Sequence, residues 1–172
     1  MNILALDLGT KTGWAVGREA GTWPLMKAKE VTEQGKLRGD RRLDLRVARL
    51  WGKLADVHKR TPLAYIVFED LRFGSTTMQA HLWASFRTVV WLFAFLHGIK
   101  TECLDTSKLK LYATGHGGAT KEMMAAWLAK RMPERYRLEG AVIVEVDKGA
   151  ELDDNGVDAA HLLRWAEAVL IK

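Results

Sequence analysis

The order of apolar runs along the chain predicts an α/β domain, a mixed sheet of antiparallel and parallel strands flanked by helices. Three observations carry this expectation. Residues 2–8, "NILALDL", form a short apolar run closed by a glycine turn, the pattern of a buried strand. Residues 38–60 place Leu43, Val47, Leu50, Leu54 and Val57 at helical spacing, with a charged opposite face. Residues 63–70, "LAYIVFED", are apolar on consecutive positions, as a strand covered by helices on both faces must be. Strands, helix, strand, helix, strand and further helices together describe a mixed α/β order.

The remaining elements follow from the same signals. "GWAVGR", residues 13–18, reads as a second strand returning antiparallel to the first, and residues 25–33 as a third. Pro62 helps end the helix over 38–60. A loop holding Gly74, Ser75 and Thr76 leads into a long apolar helix over 78–97. "GIKTECLD", residues 98–105, is a fourth candidate strand that ends in an acid. "TSKLKLYATG" reads as a short helix closed by Gly115, and residues 119–132 as another helix. Residues 133–152 carry the weakest pattern, with strand composition at 141–146. The chain closes on an amphipathic helix opened by acids, "DDNGVDAAHLLRWAEAVLIK".

A length of 172 residues predicts a single domain over 1–172 with a substantial core. The net charge of +5 favours a polyanionic partner such as nucleic acid without specifying a fold. One cysteine, Cys103, excludes an internal disulfide and points to a reducing, cytoplasmic setting. The N-terminus lacks the basic and apolar regions of a secretory signal. The longest apolar stretch, 82–98, is interrupted by Arg87 and is short for a membrane span, so no membrane association is expected.

Carboxylates carry the chemistry. Asp7 lies inside an apolar strand, where a lone buried carboxylate is expensive unless paired or bound to a metal. Glu69 and Asp70 end the strand after the first long helix, while Asp153, Asp154 and Asp158 open the last helix. Asp154 and Asp158 are four apart and share a helix face. Converging carboxylates repel one another, and hard divalent cations such as Mg²⁺ remove that cost. Two such ions about 3.5–4 Å apart can activate water and stabilise the leaving oxygen in phosphodiester hydrolysis. Each acid also has a plain reading: Asp153 or Asp154 as a helix N-cap, a strand-ending acid as the start of a loop.

These residues resemble a specific family. "LALDLGTKTGWAV", "YIVFED" and "DDNGVDAAHLL" look like the acidic motifs of the RuvC-like Holliday-junction resolvases, within the ribonuclease H-like superfamily, in their phage and bacterial type. "KLYATGHGGATKEMM", residues 110–124, resembles the family's lysine, spacer, Gly-x-Gly and lysine stretch. The motifs stand in the family's order and span nearly the whole chain. The resemblance implies a ribonuclease H-like sheet of three antiparallel strands plus parallel strands. It implies Asp7, Glu69, Asp154 and Asp158 as catalytic acids holding two Mg²⁺ per site, with Mn²⁺ as a substitute. Many members place an acid or histidine where this chain has Asn155; Asp154 fills that role here, with Asp153 as its competitor. Lys110 and Lys121 match lysines that hold DNA near the scissile phosphate, Lys121 as part of the catalytic set. Phe73, after Glu69, resembles an aromatic that inserts at the junction centre, and Arg72 beside it is a candidate phosphate contact.

The glycines of "TGHGG" could admit a phosphate to backbone amides or form a plain loop. His116 reads as exposed and inert, and His161 as a possible neighbour of Asp158. The apolar helix over 78–97 could be pure core, or could build the homodimer that a junction of two-fold pseudo-symmetry would match. The expected function is therefore a metal-dependent, structure-specific endonuclease that resolves four-way DNA junctions by symmetric phosphodiester hydrolysis. Alternatives are an RNA-processing nuclease of the same superfamily and a non-catalytic branched-nucleic-acid binder. A sugar-kinase-like ATPase, suggested by "DLGTKTG", needs two lobes and more residues than the chain has.

Overall fold

The structure, a computed structural model, describes residues 1–36, 44–70 and 76–171. Arg72, Phe73 and the first residues of the expected helix over 38–60, Leu43 included, lie outside the described residues.

Five strands form one sheet: β1 (Ile3–Asp7), β2 (Lys11–Val16), β3 (Glu19–Pro24), β4 (Tyr65–Asp70) and β5 (Lys100–Asp105). Their order is β3-β2-β1-β4-β5. The first three pair antiparallel, while β4 and β5 join parallel to β1. This is the mixed sheet that the sequence predicts. Six helices are described: α1 (Ala28–Gly35), α2 (Leu45–Arg60), α3 (Thr77–Leu96), α4 (Thr106–Thr114), α5 (Lys121–Arg131) and α6 (Asp154–Leu170).

Two expectations are corrected. The third strand is residues 19–24, not 25–33; Gly17, with φ +55, turns the chain back at once, and the segment from Ala28 is helical. The second strand likewise begins two residues earlier, at Lys11. The stretch 133–152 holds three short strands, β6 (Tyr136–Glu139), β7 (Val142–Glu145) and β8 (Glu151–Leu152), paired antiparallel in a second small sheet.

Alternation along each strand divides the core into two layers. Leu4 and Leu6 of β1 and Ile66 and Phe68 of β4 pack with Leu50, Leu54, Phe86, Val90 and Phe93 of α2 and α3. Ile3, Ala5 and Val67 face the opposite side, against Leu109, Met124, Leu128, Val157, Ala159 and Leu162 of α4, α5 and α6. Burying each of these leucines contributes roughly 1.5–3 kcal/mol. Parity therefore decides where the strand-ending acids point: Asp7 follows Ile3 and Ala5, and Glu69 follows Val67, onto the α4–α6 side.

The helix ends obey local chemistry. Asp44 caps α2 by accepting from the Arg46 N–H at 3.0 Å, and Thr76 caps α3 by accepting from Gln79 at 3.2 Å. Gly115, at φ +81, takes the left-handed position that closes α4. The C-terminal half of α3 exposes Trp91, Leu92, Phe95 and Leu96, the last two at 83% and 60%. No described helix is long and apolar enough to cross a membrane.

Candidate active site

The register of β1 and β4 builds the first half of the site. Leu6 lies beside Phe68 in a parallel pair, so one residue further on Asp7 and Glu69 are neighbours on the same face. The second half comes from α6. Its first turns bury Gly156, Val157, Ala159 and Ala160 against the sheet, small residues that let the helix backbone come close. Asp158, one turn in, is thereby delivered to the strand-ending acids. Asp154, four residues earlier, opens the same helix face.

The approach of α6 to β2 depends on Gly13. A Cβ there would stand 1.9 Å from the Asn155 carbonyl oxygen. Gly13 is also the register partner of Asp7. The missing side chain thus admits the start of α6 directly beside the first acid. Asp153 completes the docking: its carboxylate caps α6 by accepting from the Gly156 N–H at 3.1 Å, and also accepts the Thr22 hydroxyl of β3.

Electrostatics separate the acids by role. Burial, then the charges of Glu69, Asp158 and Asp153, push the Asp7 carboxyl up to about 8, tempered by Lys121. Burial and the charge of Glu69 push Asp158 up to about 7, with Lys110 and Lys121 opposing and Asp154 adding to the rise. Glu69 is buried, which raises it, while a hydrogen bond from the Thr106 hydroxyl and the charge of Lys110 pull it back. Among the described residues, no hydrogen bond or ion pair reaches the carboxylate of Asp7 or Asp158. Asp153 differs. Burial would raise it, but bonds from Thr22, Gly156 and Asn155 outweigh that and hold it below its ordinary value.

Lys121 opens α5, where its Nζ lies 2.6 Å from Asp154 Oδ2; both side chains are largely exposed. Lys110, on α4, acts on Glu69 and Asp158. The structure therefore brings together Asp7, Glu69, Asp154, Asp158, Lys110 and Lys121. It uses Asp153 as the helix cap. His161 is not a neighbour of the acids: it is fully buried, with Nε2 bonded to the Met124 carbonyl at 2.9 Å. Burial pushes that imidazole down to about 4. His116 is exposed, and the glycine loop around it is braced internally, with the His116 N–H donating to Thr114 Oγ1 at 3.1 Å.

Sequence reasoning missed Thr106, Thr22 and the role of Gly13. Thr106 could have been found: Glu69 pairs with Leu104 across the parallel strands, and Thr106, two residues beyond Leu104, continues on the same face toward the Glu69 carboxylate. Thr22 sits on β3, just upstream of the strand expected over 25–33.

The donor set suits a hard divalent cation, being all carboxylate oxygen. Among the described residues, no three His, Cys, Asp or Glu side chains stand close enough, as placed, to hold one metal ion together. Asp154 is turned toward Lys121, and Asp153 is committed to its cap.

No protein-family model matches the chain, and no curated protein matches it in sequence. Solved structures do. A Thermus thermophilus RuvC in complex with a Holliday junction substrate is similar over 94% of this chain and 90% of its own, at TM-score 0.63 and 20% identity. Another T. thermophilus RuvC structure matches over 98% and 96%, at TM-score 0.61 and 18% identity. The yeast mitochondrial Holliday junction resolvase Ydc2 matches over 93% and 75%, at TM-score 0.58 and 12% identity. With its mixed sheet and flanking helices in place, the chain has the fold of the RuvC resolvases, the ribonuclease H-like fold expected from its motifs.

Proposed function

We propose that the chain is a metal-dependent, structure-specific endonuclease that resolves four-way DNA junctions, acting as one nuclease domain over residues 1–172. One observation carries the reading. Asp7, Glu69 and Asp158 converge at one end of the sheet with raised proton affinities, and no cation of the protein pairs with Asp7 or Asp158 among the described residues. A structural role would give such acids a partner, as it does for Asp153. A pure binder gains nothing from carboxylates that repel phosphates. The fold shared with a RuvC seen on a Holliday junction supports branched DNA as the substrate.

Asp7, Glu69, Asp154 and Asp158 would hold the ions, two Mg²⁺ per site with Mn²⁺ able to substitute. Reaching a common ion requires Asp154 to leave Lys121, a rotation open to two exposed side chains. When bound, divalent cations keep the acids ionised together and supply activated water for in-line phosphodiester hydrolysis. Thr106 holds the Glu69 carboxylate in place. Lys110 and the released Lys121 hold the scissile phosphate and balance charge developing on it. Arg72 and Phe73 follow Glu69 closely in the chain and are proposed contacts to the junction backbone and centre.

The exposed stripe of Trp91, Leu92, Phe95 and Leu96 supports a homodimer through α3, which would set two active sites against opposite strands. The test is cleavage of a mobile synthetic four-way junction in Mg²⁺, beside linear duplex and matched RNA, with Asp7→Asn as control. Paired symmetric nicks on the junction, absent in the variant and in EDTA, are expected. Tight junction binding without cleavage in either Mg²⁺ or Mn²⁺, or cleavage of RNA in preference to junctions, would overturn the reading.

A further inference from the structure

The α4–α5–α6 layer carries a group of cations that the proposed chemistry does not use. On α5, the Lys130 ammonium lies 4.5 Å and the Arg131 guanidinium 5.1 Å from the centre of the Trp127 ring. On α6, the Arg164 guanidinium lies 5.9 Å from the ring of Tyr112, whose hydroxyl donates to the Arg164 carbonyl oxygen at 3.3 Å. Buried His161 feels the charge of both Arg164 and Arg131, which lowers its proton affinity further. Lys130 and Arg131 are exposed, while Trp127 and Arg164 are half-buried.

These cations lack acidic partners. Among the described residues, no ion pair includes Lys130, Arg131 or Arg164, and Nη1 of Arg164 is buried without a hydrogen-bond acceptor. The other side of the sheet behaves differently. There Arg46, Arg49 and Arg60 of α2 reach Asp44, Glu30 and Glu19 at 2.6, 2.6 and 3.6 Å. An aromatic ring orients a cation without neutralising it. Lys130, Arg131 and Arg164 thus present ring-oriented positive charge without acidic partners; on α2 the three arginines are paired, while Lys53 and Lys59 have neither an ion pair nor a ring contact among the described residues.

Position selects the partner. α5 begins at Lys121, in the site, and Arg131 lies ten residues on, roughly 15 Å along the helix. Asp158 and Arg164 are six residues apart, roughly 9 Å. One DNA strand advances about 3.4 Å per nucleotide along the duplex axis. These spans match about three to four nucleotides of backbone, short enough for a duplex that enters the site to reach the patch. We infer that Lys130, Arg131 and Arg164, steadied by Trp127 and Tyr112, grip the phosphate backbone of a duplex DNA arm leaving the active site. The inference rests on the nuclease reading of the acids but assigns them no further role.

The test is binding in EDTA, by titration over a range of salt, of a four-way junction, a linear DNA duplex and a matched RNA duplex. Lys130→Gln combined with Arg131→Gln removes two exposed charges. Lys53→Gln combined with Lys59→Gln removes the same charge from exposed positions on α2. The first pair is expected to reduce the salt slope of binding by about 2 on both DNAs, with about tenfold weaker binding at low salt; the second leaves the slope unchanged. An unchanged slope in the first pair overturns the inference. Equal losses in both pairs overturn it too, because net charge alone would then explain the effect. A drop confined to duplex RNA would also overturn the assignment to a DNA arm. Failure of the resolvase reading shows separately, as a wild-type protein that binds junction no better than duplex, and the duplex slope still decides the patch.

Discussion

Gly13→Ala is the sharpest perturbation the structure offers. The new Cβ would meet the Asn155 carbonyl oxygen at 1.9 Å and its carbon at 2.4 Å, both backbone atoms that no rotamer change can move. Restoring ordinary contact near 3.4 Å requires the start of α6 to retreat by roughly 1.5 Å. Overpacking of this kind costs about 1–3 kcal/mol, and weakening the Asp153 cap adds about 1. The expected loss is about 2–4 kcal/mol in urea denaturation. The larger consequence is geometric. Asp154 and Asp158 move with the helix while Asp7 stays on β1, and a misplacement of about 1 Å in reacting groups can cost about a hundredfold in rate. Gly156→Ala is the matched control. Its Cβ meets Leu152 Cδ1 at 2.4 Å and Cγ at 2.9 Å, atoms of a buried side chain that must repack rather than backbone, while alanine favours the helix by about 1 kcal/mol. Its net loss should stay within about 2 kcal/mol, with the start of α6 left in place. If Gly13→Ala melts like wild type and cleaves within about threefold of it, the docking of α6 is not what positions the acids.

Other outcomes follow from the same geometry. Asp7 is raised from 3.8 to about 8, so the folded state prefers it neutral; the fold loses stability as pH rises from about 4 to about 8. Asp7→Asn removes that loss and should gain roughly 2–5 kcal/mol over wild type at pH 8 in EDTA, less at pH 4, with saturating Mg²⁺ narrowing the gap. A gap independent of pH in EDTA would contradict the raised carboxyl. Thr106→Val leaves Glu69 without its hydroxyl donor and should cut junction cleavage about tenfold or more, with Thr106→Ser restoring most of it; equal activity in both variants would remove Thr106 from the site. Phe95→Asp, at a side chain 83% exposed, should leave the melting temperature intact yet convert a dimer to monomer by analytical ultracentrifugation, and an unchanged dimer would place the interface elsewhere.

Much of this arrangement was legible in the sequence because strand parity and helix spacing are local rules. Alternation along "ILALD" and "YIVFED" sends Asp7 and Glu69 to one face, and "DNGVD" places Asp154 and Asp158 on one side of a helix. The division of labour among the three α6 acids was less legible. Choosing Asp153 as the cap depends on Thr22, a residue 131 positions away, and on where β3 lies. "EAGTWP" carries little strand composition, and β3 is ordered mainly by the Gly17 turn and its pairing with β2. Residues 133–152 resisted for a similar reason. Strands of two to four residues show too few alternations to read, and Gly140 and Gly149, at φ +64 and +61, set turns that only pairing reveals.

The acids also explain why the site lies at this end of the sheet. An apolar residue at position 7 or 158 would remove the desolvation and repulsion that push both carboxyls toward neutrality. The surrounding fold already offers apolar packing there, from Ala5, Ala159 and Leu162. The neighbouring side chains that could have neutralised the cluster are arranged to do so only in part. Lys121 reaches Asp154, the outermost acid, and Lys110 acts on Glu69 and Asp158 without closing an ion pair with either among the described residues. A cluster built for stability would place those ammonium groups on the inner acids. On the proposed reading, inner acids short of positive charge would favour added divalent cations, and lysines at the rim would favour the phosphate. Charge placement, more than the bare count of carboxylates, is what distinguishes a hydrolytic site from a capped helix packed on a sheet.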